Sequence, residues 1–232
     1  RYSEEGIRTV LVCCTGGEEG EVLNPAMDRP EIVEDLPAVR RRELEASVTI
    51  LGYDELVLLG YRDSGMPDSE ANARPDSFWQ APLDEATDRL VEVVRRERPQ
   101  VIVTYNDDQS GYPHPDHLRV HDISVLAFDR AGDPDHRPDL GPAWTPSKLY
   151  YSIWSRSRIE EIHAKMLELG IESPFTPEWF ERPSQDDRIT TRVHIGEQWE
   201  QRRGALLAHA TQVDPESAFW FGLPDDVARR IH

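Results

Sequence analysis

Three histidines and an aspartate lie close together in one polar stretch of the chain. His114, His117 and His121 accompany Asp116 within the run from Tyr105 to Asp122. Imidazole is the commonest metal ligand in proteins, and a neighbouring carboxylate can fix its tautomer. The i, i+4 pair of histidines resembles part of the His-Glu-x-x-His zinc helix, but the glutamate of that motif is absent. The cluster therefore favours a metal or catalytic site of another kind over a set of solvated histidines.

The elements on either side of this stretch would hold the histidines at the edge of a sheet. The apolar run 100–104 indicates a strand, and the apolar periodicity that follows Asp116 indicates a helix to about Arg130. Pro115 suits the first helical position, with His114 as the cap and Asp116 in the first turn. Open α/β sheets bind their ligands in such strand-to-helix loops.

Other polar side chains occupy similar positions. Glu18 follows a buried strand over 9–14, and Asp63 follows a second strand over 55–60. Arg40 lies on a helix predicted over 36–52, which Gly52 ends. Local chemistry leaves two interpretations open for each residue: a ligand contact, or an ordinary role in a loop cap or a solvated face.

Strands alternate with helices along the rest of the chain, which predicts a Rossmann-like α/β fold. We expect a mostly parallel sheet with helices on both faces. Further predicted elements are a helix over 83–98, a strand over 148–154, a helix over 155–169, a short strand over 189–195 and a helix over 197–210. The stretches 66–82 and 130–146 are predicted surface loops, with His136 solvated in the second. His163 is predicted to be structural.

Length and charge limit the classes of function. The 232 residues suit a single domain, with a sheet core over about 1–155 and a C-terminal part over about 156–232 that completes the substrate pocket. A net charge of −18 argues against nucleic acid and anionic membranes as partners. The adjacent Cys13 and Cys14 point to opposite faces of a strand, so we expect reduced thiols in a cytoplasmic protein.

Several motifs carry a resemblance that spans nearly the whole chain in the same order. The motifs are GYPHPDH with TYND before it and RVH after it, TGGEEGEVLNPAMD at 15–28, VRRREL at 39–44, YRDSGMP at 61–67, TTRVH at 190–194 and LLAHATQVDP at 206–215. They resemble the mycothiol S-conjugate amidases of the LmbE-like (PIG-L) zinc deacetylase superfamily. The sister N-acetylglucosaminyl-inositol deacetylases share most of them, and NPAMD and GYPHPDH favour the amidases.

The resemblance implies metal-assisted hydrolysis of an amide bond in a small-molecule substrate, a mycothiol conjugate, with Zn²⁺ as cofactor. It implies that His117 is a zinc ligand and that His114 protonates the leaving amine. Asp116 would orient His114, and Tyr112 would donate a hydrogen bond to the oxyanion. The implied substrate-binding residues are Glu18, Arg40, Asp63 and Gln212.

One family motif has no counterpart before His114. The family places a His-Pro-Asp-Asp loop after its first strand, which supplies two more zinc ligands and the general base. Because the residues 1–6 resemble the last turn of a helix, we expect the sequence to start inside the fold. We also expect an unpaired strand edge with uncovered apolar surface, weak zinc binding and no measurable hydrolysis. Three hypotheses remain: an amidase, an N-acetylglucosaminyl-inositol deacetylase, and a sugar-binding or inactive protein without a metal site.

Overall fold

The computed structural model describes residues 1–109 and 111–232, so Ser110 of the histidine loop lies outside the described residues. Contacts group the chain into two compact units. The first unit comprises Arg1–Leu11, Glu21–Leu56 and Ile153–His232, and the second comprises Val12–Gly20 and Val57–Ser152. Each unit is described by itself.

The strands form two pairs. They are β1 (Val10–Thr15), β2 (Glu55–Tyr61), β3 (Val101–Tyr105) and β4 (Lys148–Ser152). β1 pairs with β2, and β3 pairs with β4 in parallel from Val101↔Lys148 to Tyr105↔Ser152. The α/β class is therefore confirmed. The short strand predicted over 189–195 is wrong: that segment joins no ladder, and the amide of Ile195 instead donates to the carbonyl of His232 at 2.9 Å.

Helices separate the strands. They are α1 (Pro30–Val33), α2 (Leu36–Leu51), α3 (Leu83–Glu97), α4 (Pro115–Arg130), α5 (Arg156–Glu168), α6 (Pro177–Glu181), α7 (Trp199–Ala208), α8 (Ala218–Phe221) and α9 (Asp225–Ile231). The predicted ends of the longer helices are confirmed. Gly52 caps the C-terminal end of α2 with a left-handed φ of 72°. Ser155 caps the N-terminal end of α5, and its side chain accepts from the amide of Arg158. Among the described residues, no helix combines the length and apolar composition needed to cross a bilayer.

In the second unit, α3 and α4 pack together over the strands. Ala86, Val91, Ile123 and Ala127 are fully buried, and partly buried strand residues pack against them. The prediction that 66–82 is a surface loop is wrong in its second half. Phe78 is fully buried and stacks on Tyr61 with ring centroids 4.9 Å apart. The ring of Phe78 packs against the last residue of β2, so this part of the loop lies against the protein and not in solvent.

The loop after α4 is also more ordered than the sequence predicted. His136, expected to be solvated, lies 2.8 Å from a carboxylate oxygen of Asp88. Arg95 of α3 is 3% exposed and, within the part of the chain that the structure describes, donates to six backbone carbonyls. These carbonyls belong to Arg130, Ala131, Asp133, His136, Arg137 and Gly141. This guanidinium therefore holds several parts of the loop together, in addition to the hydrogen bonds within the loop.

β3 leaves apolar surface exposed. Val101, Val103 and Tyr105 alternate along the strand and expose 46%, 66% and 38% of their surface. Alternate residues lie on one face of a strand. These three residues therefore form one exposed apolar face of β3.

The first unit has its own core. Met166 of α5 and Trp199 of α7 are buried with Leu223 and Ala228 of the C-terminal segment. His163 of α5 lies 2.8 Å from the hydroxyl of Ser173, in keeping with the structural role predicted for it.

Candidate active site

The start of α4 fixes the position of His114. His114 caps the helix, Pro115 follows at the first helical position, and Asp116 lies in the first turn, all as predicted. The amide of Asp116 donates to Nδ1 of His114 at 3.2 Å. Because Nδ1 accepts this hydrogen bond, the proton of the neutral ring is on Nε2. Asp116 therefore orients His114 through its main-chain amide.

Asp63, His114 and Asp116 form a group that could hold a cation. One potential ligand atom from each lies within 4.8 Å of the others. Both carboxylates are buried: Oδ2 of Asp116 accepts from the amide of Ser64 at 3.2 Å, and Oδ1 of Asp63 accepts from the amide of Gly65 at 2.8 Å. Among the described residues, Oδ1 of Asp116 has no hydrogen-bond partner. A buried carboxylate oxygen without a partner is costly, so this atom fits a cation or a donor from a ligand.

Burial shifts the pKa values of these groups. It raises the pKa of Asp116 to about 6, opposed by hydrogen bonds from Ser64 and reinforced by Asp63. It lowers the pKa of His114, with Asp63 opposing the shift. It lowers the pKa of His117 to about 4, with His114 reinforcing and Asp63 opposing the shift. Both imidazoles are therefore neutral at neutral pH, the form that binds metal ions and accepts protons.

The remaining rings of the loop surround this group. The ring of His117 stacks on Tyr105 at 4.1 Å and lies 5.1 Å from the ring of His114. Tyr112 is 54% exposed, and its ring lies 5.9 Å from His114 and 5.5 Å from His117. His121 is different, because its Nδ1 lies 3.1 Å from the carbonyl of Tyr105. This contact gives His121 a structural role beside the site.

Glu18 extends the site to a third strand end. Its Oε2 accepts from the amide of Asp63 at 2.8 Å. β1, β2 and β3 are thus each followed by a loop that contributes to the same place in the second unit. The sequence predicted this convergence for seven residues: Glu18, Arg40, Asp63, Tyr112, His114, Asp116 and His117. The structure brings six of them together in the second unit, whereas Arg40 belongs to the first unit and its place in the site stays a prediction.

Gly16 allows Glu18 to take this position, which gives a testable prediction. A Cβ at Gly16 would lie 2.5 Å from Oε1 of Glu18. In Gly16→Ala we expect the Glu18 carboxylate to turn away from Asp63 and turnover to fall by up to about 10²-fold through misplacement alone. Because the displaced group is the end of a flexible side chain, thermal unfolding should change little. Steady-state kinetics and a melting curve would measure both effects.

Gly204→Ala is the matched control, since a Cβ there meets a side-chain carbon of Ile50 at an ordinary 3.4 Å. The control should keep full turnover. Wild-type turnover in Gly16→Ala would mean that the contact between Glu18 and Asp63 is not needed.

Arg40 and Gln212 belong to the first unit. Nε2 of Gln212 donates to the carbonyl of Glu21 at 2.8 Å. The adjacent Thr211 donates to the carboxylate of Glu43 twice, from its amide at 2.8 Å and from its hydroxyl at 2.7 Å. The roles of Arg40 and Gln212 as substrate contacts stay predictions.

Sequence reasoning missed two residues that hold the site residues in place. Glu43 is 7% exposed although it follows three arginines, a context that resembles a solvated helix face. Ser64 is fully buried; its amide holds Asp116, and its hydroxyl accepts from the amide of Trp79 at 2.8 Å. The only sequence signal for Ser64 was its place directly after Asp63 at a strand end.

Imidazoles and carboxylates collected beyond the strand ends of an α/β fold are groups that metal-assisted and acid–base hydrolases use. The family model PIG-L, described as GlcNAc-PI de-N-acetylase, matches residues 1–128, more than half of the chain. The chain belongs to this PIG-L family.

Similar proteins support this membership. A mycothiol S-conjugate amidase from Streptomyces coelicolor is 39% identical over 241 residues, covering 100% of this chain and 81% of the relative. A 1D-myo-inositol 2-acetamido-2-deoxy-alpha-D-glucopyranoside deacetylase from Thermobifida fusca is 40% identical over 244 residues, covering 100% and 82%. Among solved structures, an N,N'-diacetylchitobiose deacetylase from Pyrococcus horikoshii has a TM-score of 0.63 at 18% identity, covering 95% of this chain and 66% of that one. This last likeness concerns the fold alone.

Proposed function

We propose that the chain is a zinc-dependent amidase that hydrolyses the amide bond of mycothiol S-conjugates. The products would be an N-acetylcysteine S-conjugate and glucosaminyl-inositol. The observation that carries the proposal is the grouping of Asp63, His114 and Asp116 beside His117. The identity to the Streptomyces coelicolor amidase supports the substrate class.

The donors in the site suit zinc, which takes imidazole nitrogens and carboxylate oxygens. Neutral imidazoles are available at His114 and His117, and Oδ1 of Asp116 is buried without a partner among the described residues. In the proposal, His117 is a metal ligand. When bound, zinc supplies polarisation of the amide carbonyl and acidification of water.

The chain's own residues would handle the proton and the developing charge. His114 is held by the amide of Asp116, and the carboxylate of Asp63 nearby favours its protonated form against the effect of burial. We therefore assign His114 the transfer of a proton to the leaving amine. The exposed phenol of Tyr112 is assigned to donate to the oxyanion.

Asp63 and Glu18 are assigned to the hydroxyl groups of the substrate. Oδ1 of Asp63 accepts a hydrogen bond from the amide of Gly65, and Oε2 of Glu18 accepts one from the amide of Asp63. A carboxylate has about four acceptor sites, so each retains capacity for a substrate hydroxyl.

The NPAMD motif supports the choice of an amidase. Asn24 of this motif is 7% exposed; its side chain accepts from the amide of Ala26 and donates to the carbonyl of Ala210 at 2.8 Å. The amides of Leu23 and Asn24 also donate to the carbonyl of Thr211. This motif therefore fixes the HATQ segment, in which Gln212 is a proposed substrate contact.

The substrate choice leads to a direct prediction. With a mycothiol S-conjugate and N-acetylglucosaminyl-inositol offered separately, we expect kcat/KM for the conjugate to be at least about tenfold higher, within the range that an apolar pocket contributes. The measurement is the release of the free amine of glucosaminyl-inositol, which both substrates share as product. The conjugate carries a larger acyl group, so the assay compares acyl pockets alone.

Zinc-loaded and chelator-treated protein should be assayed side by side as the control. A preference for the acetyl substrate would replace the amidase by a deacetylase. Equal turnover after complete removal of the metal would refute zinc dependence.

A further inference from the structure

A cavity in the first unit is lined by cationic and aromatic side chains. We call it the C-terminal pocket. It lies among α5, α7, α8 and α9, and its walls include Arg158, Arg202 and His232 together with Trp199, Phe175 and Phe219. The cavity measures about 40 Å³. This volume can hold about three water molecules, so it can also hold one carboxylate group.

The two arginines lack acidic partners. Among the residues that the structure describes, neither guanidinium forms an ion pair, and buried Nε of Arg158 and Nη1 of Arg202 have no hydrogen-bond partner. Both side chains are partly buried, and a buried N–H group without an acceptor is costly. Each unpartnered N–H is therefore a donor that a ligand can satisfy.

His232, next to the two arginines, adds no positive charge to the pocket at neutral pH. Burial, together with smaller effects of Arg202 and Arg158, lowers the pKa of His232 to about 4. Nη1 of Arg158 lies 3.3 Å from Nδ1 of His232, and only the arginine can donate there. A neutral His232 accepts this hydrogen bond at neutral pH, so the pocket holds two positive charges.

The aromatic side chains of the pocket favour a ligand that has an apolar or aromatic group next to its negative charge. Trp199 lies against the guanidinium of Arg202 at 5.1 Å, and Phe219 packs 5.7 Å from Phe175 and 6.0 Å from Trp154. Trp154 is 56% exposed and gives the pocket an aromatic mouth. Ligand pockets of this kind are mostly apolar with a few placed polar groups.

We propose that the C-terminal pocket binds a small organic carboxylate whose apolar or aromatic body lies against these rings. Arginine is suited to this ligand, since its planar fork matches a carboxylate and forms charge-assisted hydrogen bonds. The proposal does not depend on the amidase activity, because its residues are separate from those assigned to hydrolysis.

Benzoate is the probe for this pocket, and benzamide is its uncharged counterpart. Calorimetry and tryptophan fluorescence on the whole chain should show saturable binding of benzoate and at least about tenfold weaker binding of benzamide, as expected for charge-assisted hydrogen bonds. Acetate and inorganic phosphate test the anion without an aromatic body, and both should bind more weakly than benzoate. Equal binding of benzoate and benzamide, or tighter binding of phosphate, would overturn the proposal.

Substitutions separate a binding role from a structural one. Arg202→Met should weaken benzoate binding by about 10–100-fold and raise the melting temperature of the free protein by about 2–4 °C, because an unpaired buried charge is removed. Arg203→Met is the matched control: its guanidinium lies over Phe221 outside the pocket, and benzoate affinity should stay within about twofold. A structural arginine would give the opposite pattern, with a lower melting temperature and unchanged binding. If Arg202→Met fails to fold, Arg202→Lys keeps the charge but loses the fork, and unchanged benzoate affinity in that variant would refute the proposal.

Discussion

In a homologue that carries these residues together with the His-Pro-Asp-Asp loop, replacing the counterpart of His117 with glutamine is expected to remove bound zinc. The same change at the counterpart of His114 is expected to keep zinc and to lower turnover by about 10²–10⁴-fold, the usual contribution of a general acid or base. The physical reason is the difference between the two imidazoles. Nδ1 of His114 already accepts a hydrogen bond from the amide of Asp116, whereas the ring of His117 stacks on Tyr105, a contact that does not occupy its ring nitrogens. Zinc content by elemental analysis and amine release by steady-state kinetics measure the two effects.

The same experiment tests the competing assignment of the metal ligands. If Asp63, His114 and Asp116 hold the metal directly, His114→Gln will lose zinc while His117→Gln retains it. That outcome would reverse the two proposed roles. His121→Gln is the matched control, because its ring contacts the carbonyl of Tyr105 and should leave zinc content unchanged.

The sequence predicted the parts of this site that depend on local rules. A proline at the first helical position and an aspartate in the first turn are enough to make His114 a cap, and the structure has that cap. Positions directly after strand ends were enough to bring Glu18 and Asp63 near it. The parallel connection of strands and helices supplies this convergence without any detail of side-chain packing.

Contacts between distant segments could not be predicted in the same way. The partners of Asp116 include the amide of Ser64, and Thr211 is held by Glu43, 168 positions away in sequence. No pattern within a short window distinguishes these residues from others of their type. The buried Phe78 and the contact between His136 and Asp88 were missed for the same reason. Polar loops with prolines resemble solvated loops until a partner from another element is known.

Arg95 gives the largest expected change in stability. Arg95→Lys should lower the free energy of unfolding by about 3–5 kcal/mol, because hydrogen bonds to charged groups are each worth about 1.5–3 kcal/mol and a lysine has only three donors. Arg95 donates to six carbonyls in the segment that follows α4. Several of them would lose their partner in the variant. Urea unfolding followed by circular dichroism measures this difference.

The neighbouring Arg96 provides the control for this substitution. Its side chain is half exposed and pairs with Glu97, and a lysine can keep this ion pair. Arg96→Lys should therefore change the free energy of unfolding by no more than about 0.5 kcal/mol. An equally small change in Arg95→Lys would mean that water replaces the guanidinium, and the segment after α4 would then not depend on this side chain. A large loss in Arg95→Lys alone would establish that one buried cation holds a loop whose sequence predicts no fixed structure.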